Sequence, residues 1–277
     1  MKRKDARMEE TTESISKILK NPGVRKNPIK IKNEDDVIRS AIHLSTTNTI
    51  VPVFSVSNTT LEGMEYINKF LHLCPKRPFE KTIDDVEMHI DLSWTVPSVG
   101  TVIGGHLKSG KIKVGDKLWF GPNNNEYTQI TVKSIHCKKV SIQEAEYGTY
   151  ICIGAKGITK KDFKRGNVVV SKKEQQILCK VIKAEIEVLQ AHSTTIRKGY
   201  QAMLHALTVR TVCIIEKIEN KISARDNKND NDGVLRSKDT ATLTLRLFLD
   251  KKYIKNGSSI LLCDGRTKVI GKIIETY

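Results

Sequence analysis

The chain has 277 residues, of which 39% are hydrophobic and 28% are charged, a composition typical of a globular protein and too apolar for wholesale disorder. Because no apolar run approaches about 18 residues, we expect no helical membrane span and no membrane partner. The charged sequence Met1–Arg7 leads into no apolar segment, so no secretory signal is expected. Six scattered cysteines without a C-x-x-C pair argue against a zinc ribbon or a disulfide scaffold and favour the reducing cytoplasm.

Basic residues are in marked excess. Lys and Arg number 47 against 31 acidic residues, which gives a formal net charge of +16. Such an excess favours a polyanionic partner, either nucleic acid or an anionic surface. The alternative interpretation is a lysine-biased genome, since 35 of the basic residues are Lys and only 12 are Arg. Composition alone leaves both interpretations open.

The first quarter of the chain has an α/β pattern. Apolar residues at near-helical spacing from Met8 to Leu19 predict a helix that stops at the Asn-Pro-Gly sequence of residues 21–23. Residues 50–56 predict a buried strand, and Thr60 is the predicted N-cap of a helix that ends at Pro75. These elements are too few to complete a sheet, so we expect exposed apolar surface here.

From Val86 onward the pattern is all-β. Short apolar runs recur between Gly, Asn and Lys turns, and a charged segment at 171–174 separates two series. We therefore predict a mostly β fold with two small antiparallel barrels of about six strands each, preceded by an α/β remnant. The predicted domains are 1–76, 82–174 and 177–277. Residues 226–233 are polar and of low complexity, which predicts a surface loop.

Several nucleotide-like and metal-like patterns fail on their context. Residues 105–111 fit G-x-x-x-x-G-K, but Ile112 stands where a phosphate loop needs Ser or Thr, and a turn into a strand follows. Residues 227–230 fit N-K-x-D but lie inside the polar loop, which also lacks the ligands of a calcium site. The seven histidines show no metal-ligand spacing. We predict no metal site and no catalytic residue.

Three ordered segments resemble the second and third domains of translational GTPases. The first, in residues 96–116, is similar to that family's P-x-x-G-T-V-x-x-G and G-x-I-x-x-G-D patterns, in which each glycine is expected at a tight turn. The second combines residues 184–189 with 192–201, and the third is Asp-Gly-Arg-Thr at 264–267 with Gly271. Upstream, residues 19–26, 35–38 and 53–63 resemble the end of a GTPase domain. Together with residues 200–205 they are typical of the eukaryotic GTP-binding-protein-one group, relatives of elongation factor Tu and elongation factor one-alpha.

The resemblance implies a set of site residues. Ser57, Asn58 and Thr59 correspond to the fifth GTPase motif, which contacts guanine in the family. Asp91 and Trp94 match an acidic and an aromatic position near the aminoacyl end of tRNA, although Leu92 and Gly104 depart from the family pattern there. The alternative is that Asp91 and Trp94 merely complete a barrel strand. Five cations on turns of the two barrels are the predicted RNA contacts: Lys108, Lys111, Lys113, Arg197 and Lys198.

The resemblance also implies GTP and magnesium as cofactors of the intact family. The phosphate loop and a correctly placed N-K-x-D should precede Leu19, so we expect a C-terminal portion with a missing N-terminal GTPase half. We expect no cofactor in this chain, and neither GTP binding nor hydrolysis by it alone. The predicted function is that of a cytoplasmic, translation-elongation-factor-like protein acting on tRNA or the ribosome. The alternatives are a non-enzymatic two-barrel module that binds RNA or protein, and a decayed remnant without activity.

Overall fold

The computed structural model describes residues 2–21, 24–47, 49–74, 85–190, 195–223 and 233–277. The chain divides into two compact units, Met1–Pro78 and Phe79–Tyr277. None of the helices in the described ranges is long and apolar enough to cross a membrane. Pro75, the motif residues 192–194 and the predicted loop at 226–232 with its N-K-x-D sequence lie outside the described residues.

The first unit pairs two short parallel strands with three helices. β1 and β2 pair in register from Asn27 with Ile50 to Lys30 with Val53. The unit exposes apolar side chains, as predicted, among them Ile18 and Ile42, each 58% exposed. The elements are α1 (Lys2–Leu19), β1 (Asn27–Lys30), α2 (Glu34–Thr46), β2 (Ile50–Val53) and α3 (Met64–Leu73).

The sequence interpretation of this unit needs three corrections. It missed β1 and α2, although Asn33 caps α2 by accepting a hydrogen bond from the Asp36 backbone N–H at 2.9 Å. The predicted strand 50–56 ends already at Val53. Thr60 is not an N-cap, because its backbone N–H donates to Ser57 Oγ at 3.2 Å in a local turn, and Gly63 in the left-handed region precedes α3 instead.

The first barrel is a closed ring of strands, as predicted. Its order is β10-β4-β3-β11-β6-β7, and pairing between β7 and β10 closes the ring. A further strand, β8, extends β7, while β5 and β9 form a separate ribbon. The strands are β3 (Glu87–Val96), β4 (Gly100–Ser109), β5 (Lys111–Lys113), β6 (Lys117–Asn123), β7 (Glu126–Cys137), β8 (Val140–Ile142), β9 (Glu144–Glu146), β10 (Thr149–Lys156) and β11 (Val168–Val170).

Alternating apolar residues build the core of this ring. Along β7, Ile130, Val132 and Ile135 are buried, and the three-residue step between the last two fits a bulge against Gly154 and Ala155 of β10. Inward-facing side chains from every strand of the ring therefore meet in one apolar cluster.

The second barrel is also closed, in the order β12-β17-β15-β14-β18-β19. Its apolar cluster includes Ile182, Leu204 and Leu243, all fully buried. A short ribbon of β13 and β16 accompanies it. The strands are β12 (Val181–Gln190), β13 (Ile196–Arg197), β14 (Gln201–Ala206), β15 (Val209–Ile222), β16 (Val234–Leu235), β17 (Thr240–Leu247), β18 (Ser259–Asp264) and β19 (Thr267–Thr276).

The glycines of the 96–116 pattern have two roles rather than one. Gly100, Gly110 and Gly115 have φ values of 94°, 75° and 96°, which confirms them as turn residues. Gly104 and Gly105 lie inside β4 instead, so the expectation of a turn at every glycine was wrong for these two. A Cβ on Gly105 would lie 2.0 Å from the His89 carbonyl oxygen, so close strand approach requires glycine there.

A buried carboxylate joins the two barrels. The Glu87 side chain at the start of β3 is 6% exposed, forms an ion pair with Lys255 of the second barrel, and lies 2.8 Å from His89 Nε2. Burial alone would raise the pKa of Glu87, but the hydrogen bonds from His89 and Lys255 outweigh it and lower the pKa from 4.5 to about 2. Tyr253 packs beside this group against Val168 and Val170 of β11.

We predict that Glu87→Gln destabilises the protein by roughly 1–3 kcal/mol at pH 7, since it leaves buried donors without their anion. Because the folded-state pKa is depressed, the contribution of Glu87 is complete above about pH 4.5 and is lost as the pH falls towards 2. Urea unfolding at pH 7 and at pH 3 measures it, with Glu126→Gln, an exposed carboxylate of the same barrel, as the control. A Glu87→Gln deficit that does not shrink at pH 3 would contradict this account.

Candidate nucleic-acid interface

A cleft of about 330 Å³ lies between the two barrels. The first barrel contributes Ile90, Asp91 and Arg165, and the second contributes His205 and the segment Leu207–Arg210. Within the described residues, the structure gives Asp91, Arg165 and Arg210 no ion-pair partner, so these charges are available to a ligand. We call this site the inter-barrel cleft.

A β-bulge places Asp91 in the inter-barrel cleft. Ile90 pairs with Gly105 and Leu92 pairs with Gly104, so Asp91 is the extra residue of β3 between two consecutive partners on β4. A bulge turns the side chain of the inserted residue away from the regular alternation. The carboxylate of Asp91 is thereby exposed in the cleft, while Ile90 beside it remains buried in the barrel core.

Arg165 owes its position to the glycine that follows it. Gly166 has a φ of 90°, and a Cβ there would lie 2.8 Å from the Val209 side chain of the second barrel. Only glycine adopts this conformation readily while also allowing so close an approach. The turn that carries Arg165 thus lies directly against the β14–β15 hairpin.

That hairpin supplies the rest of the cleft. His205 and Arg210 are directly paired across β14 and β15, with a two-residue turn, Leu207–Thr208, between the strands. Directly paired residues project to the same side of a sheet, so the imidazole and the guanidinium line the cleft together. The Thr208 hydroxyl is buried and lacks a hydrogen-bond partner within the described residues. A buried hydroxyl without a hydrogen bond lowers the stability of the fold by about 1–3 kcal/mol. A ligand or water molecule that bonds to the Thr208 hydroxyl would remove this penalty.

The chemistry of the inter-barrel cleft suits a phosphate. Two guanidinium groups offer planar pairs of N–H donors that match phosphate oxygens, and His205 and Thr208 add further donors. Asp91 is the single carboxylate in the lining and suits a ligand that also carries hydroxyl donors. A sugar–phosphate backbone combines both kinds of group.

An exposed aromatic surface adjoins Asp91 on the first barrel. Trp94 is 39% exposed and Tyr150 is 42% exposed. A Cβ on Gly104 would lie 2.8 Å from Trp94 Cζ3 and 3.1 Å from Tyr150 Oη, so the glycine makes room for both rings. Burial, and secondarily the charge of Asp91, raise the pKa of Tyr150. The structure thus brings the predicted pair Asp91 and Trp94 onto one strand beside a third residue, Tyr150.

The five predicted RNA-contacting cations do not line the inter-barrel cleft. Lys111 lies 2.7 Å from Glu144 and 3.5 Å from Glu146, and the Glu144 carboxylate raises the pKa of Lys111. Arg197 and Lys198 precede β14, whose far end carries His205. The strand between Gln201 and His205 spans roughly 13 Å at about 3.3 Å per residue. The predicted cations of the first barrel and those of the second barrel therefore do not come together at the inter-barrel cleft. Lys108 and Lys113 are exposed on the first barrel.

Ser57, Asn58 and Thr59 follow β2 in the first unit, where the Ser57 backbone N–H donates to the Glu62 carbonyl at 3.0 Å. A groove of about 440 Å³ in that unit is lined mainly by α1 and residues 53–56. Its apolar residues include Met8, Ile15 and Phe54, and Arg7 is the one cation in its lining. This lining does not fit a triphosphate with its magnesium ion. The described residues hold no cluster of three or more His, Cys, Asp or Glu able to bind a metal.

Sequence reasoning missed the arginines and His205 of the cleft for a physical reason. Arg165 and Arg210 are 45 positions apart in the sequence and meet only after the two barrels pack. The Arg165-Gly166 dipeptide before a strand is a weak turn signal. The bulge at Asp91 leaves no recognisable sequence pattern.

Comparisons with known proteins agree with this architecture. The family model of elongation factor Tu domain 2 matches residues 100–170. GTP-binding protein 1 of Xenopus laevis is 33% identical over 96% of the chain, and elongation factor 1-alpha of Archaeoglobus fulgidus is 34% identical over 61% of it. The chain spans about two fifths of the length of these relatives, 39% and 40% respectively.

A solved structure shares the fold. Translation elongation factor SelB from Methanococcus maripaludis, in its apo form, superposes with a TM-score of 0.65 at 19% identity, over 91% of this chain and 59% of SelB. At this identity the likeness concerns the fold alone. Taken with the sequence relatives and the two closed barrels, it identifies the chain as a member of the translational GTPase superfamily, in a group like GTP-binding protein 1.

Proposed function

We propose that this chain is the RNA-contacting part of a translation-elongation-factor-like GTPase that acts on tRNA or on the ribosome in the cytoplasm. The observation that carries the proposal is the inter-barrel cleft, where Arg165 and Arg210 converge beside His205 and the unpartnered Thr208 hydroxyl. The net charge of +16 supports the same class of partner. The relatives include an elongation factor, elongation factor 1-alpha, and translation elongation takes place on RNA.

The inter-barrel cleft and the aromatic surface bind different parts of the RNA. The arginines bind a backbone phosphate, and Asp91 accepts a hydrogen bond from a nearby sugar hydroxyl. Trp94 and Tyr150 offer exposed ring faces on which an unpaired base stacks. The ligand that fits both features is the single-stranded end of a structured RNA.

We further propose that GTP binding depends on GTPase motifs outside these 277 residues. Ser57, Asn58 and Thr59 then contact guanine only within a complete GTPase domain. The apolar groove of the first unit supports this view, because its lining offers one cation for a triphosphate.

Replacing the two arginines tests the inter-barrel cleft. We predict that Arg165→Gln with Arg210→Gln weakens tRNA binding at least tenfold, since charge-assisted hydrogen bonds contribute about 1.5–3 kcal/mol each. The slope of log K against log salt should become shallower by about 1.4–1.8, which corresponds to two lost phosphate contacts. Fluorescence anisotropy with labelled tRNA at several salt concentrations measures both quantities.

The matched control is Arg39→Gln with Arg266→Gln, which removes the same charge from exposed positions outside the cleft. If both double variants weaken binding equally, only net charge matters and the cleft is not the site. Wild-type affinity in the Arg165, Arg210 variant would also reject the proposal. It would leave the alternative of a two-barrel module that binds protein.

We propose that this 277-residue chain does not bind GTP measurably by itself. A fluorescent GTP analogue titrated with and without magnesium provides the test, and we expect no saturable signal up to about 100 µM, a concentration that would reveal any micromolar dissociation constant. Micromolar, magnesium-dependent binding would refute this proposal, because it would require a phosphate site within these residues.

A further inference from the structure

We propose a second RNA-binding surface on the first barrel, formed by the hairpin of β7 and β8 together with the outer side of β10. This surface binds the phosphate backbone of an RNA duplex. The proposal deepens the proposed function and rests on it only for the class of partner, RNA. The hairpin surface consists of Lys133, Lys138, Lys139 and Lys156, with His136 between them.

The two-residue turn of this hairpin carries an unfavourable sequence. Cys137 pairs with Val140, so Lys138 and Lys139 form the whole turn, with φ values of 50° and 69°. Both lie in the left-handed region that such turns require and that Asn-Gly adopts most readily. Two adjacent lysines therefore occupy the turn at a cost in stability. Local strain of this kind clusters at functional sites, so two lysines kept in this turn point to a use for their side chains.

The stretches of chain that carry the cations of the hairpin surface contain no acidic residue, and the one carboxylate of β7, Glu126, lies at the far end of that strand. Residues 131–139 and 149–156 contain no Asp or Glu. All four lysines are exposed, and within the described residues the structure gives none of them an ion-pair partner. Lys111, by contrast, is held between Glu144 and Glu146 on the neighbouring ribbon. The hairpin surface thus offers available positive charge.

The shape of the hairpin surface suits a nucleic-acid backbone. The pairs His136 with Cys152 and Ser134 with Gly154 lie on the middle of the sheet between the cations, and apart from His136 these residues have small side chains or none. The backbone of a nucleic-acid helix can approach this part of the sheet closely, because few side chains protrude from it. Lysine ammonium groups bind phosphates as point charges without reading sequence, so binding here is sequence-independent. An acidic protein is the less fitting partner, because Val140 is the one large apolar side chain exposed on the β7–β8 hairpin, and a single anchor is little for a protein interface.

Ring topology places this surface away from the inter-barrel cleft. In the first barrel, β10 lies three strands from β11 in either direction. β11 packs against Tyr253 of the second barrel, so the end of β10 that carries Lys156 lies on the remote side, whereas Tyr150 near the start of β10 belongs to the aromatic surface. One barrel can therefore hold RNA in the cleft and a duplex on the hairpin surface at the same time.

The decisive variant is Lys138→Asn with Lys139→Gly. It removes both charges but supplies the preferred turn sequence, so we expect the melting temperature to rise by about 2–4 °C. Binding of an RNA duplex of about 20 base pairs should weaken about tenfold, and the salt slope should become shallower by about 1.4–1.8. Gain of stability with loss of binding excludes misfolding as the cause.

Three controls make each outcome decisive. Lys160→Gln with Lys161→Gln removes two exposed charges elsewhere on the same barrel and should leave duplex affinity within about twofold of wild type. Lys138→Arg with Lys139→Arg keeps the charge and should bind as wild type does. Poly-glutamate as a competing ligand tests the acidic-protein alternative.

The proposal is overturned if the Asn-Gly variant binds the duplex as tightly as the Lys160, Lys161 variant does, or if the Arg variant loses binding. It is equally overturned if the Asn-Gly change abolishes poly-glutamate binding and spares RNA. Measuring how the Arg165→Gln with Arg210→Gln variant binds single-stranded tRNA ends separates the two proposals. If this variant loses tRNA-end binding while the Asn-Gly variant binds the duplex as wild type does, the inter-barrel cleft is retained and only the hairpin surface is rejected.

Discussion

The two barrels form one compact unit, Phe79–Tyr277. The arrangement of that unit depends on the packing of the second barrel against β3 and β11 of the first. At its centre Glu87 is buried and ion-paired with Lys255, while Tyr253 fills the space beside β11. Further contacts fix the same orientation, among them the ion pair of Lys164 with Asp250 at 3.3 Å and the hydrogen bond from the Lys251 backbone N–H to Asn125 at 3.1 Å. These contacts join residues far apart in sequence, so they form only when both barrels have folded.

The inter-barrel cleft is a direct product of that packing. Arg165 belongs to one barrel and Arg210 to the other, and the close approach of Gly166 to Val209 brings their turns together. Neither barrel alone would bring both guanidinium groups to one cleft. Under the proposed function, stability at the junction and RNA affinity in the cleft are coupled, and a variant that loosens the junction is expected to weaken RNA binding without contacting RNA itself.

The sequence predicted most of the fold because alternation and turn glycines are local signals. Ile130 and Val132 show the period of a strand, and Gly110 and Gly115 mark turns. The same reasoning failed where two local signals compete. Thr60 has the residue type of an N-cap, but its backbone N–H is bound to Ser57 Oγ. The resemblance to a known family supplied Asp91 and Trp94, whereas Arg165 and Arg210 became visible only through contacts between barrels.

Cross-linking of bound tRNA to the chain, followed by mass spectrometry of the linked peptides, tests the central claim most directly. If the inter-barrel cleft holds the RNA, the 3′-terminal nucleotides should link to peptides that contain Arg165 and His205–Arg210, with a neighbouring link to Trp94 or Tyr150. Links from the same nucleotides that are confined to residues 1–74, or to Arg197 and Lys198, would contradict the account.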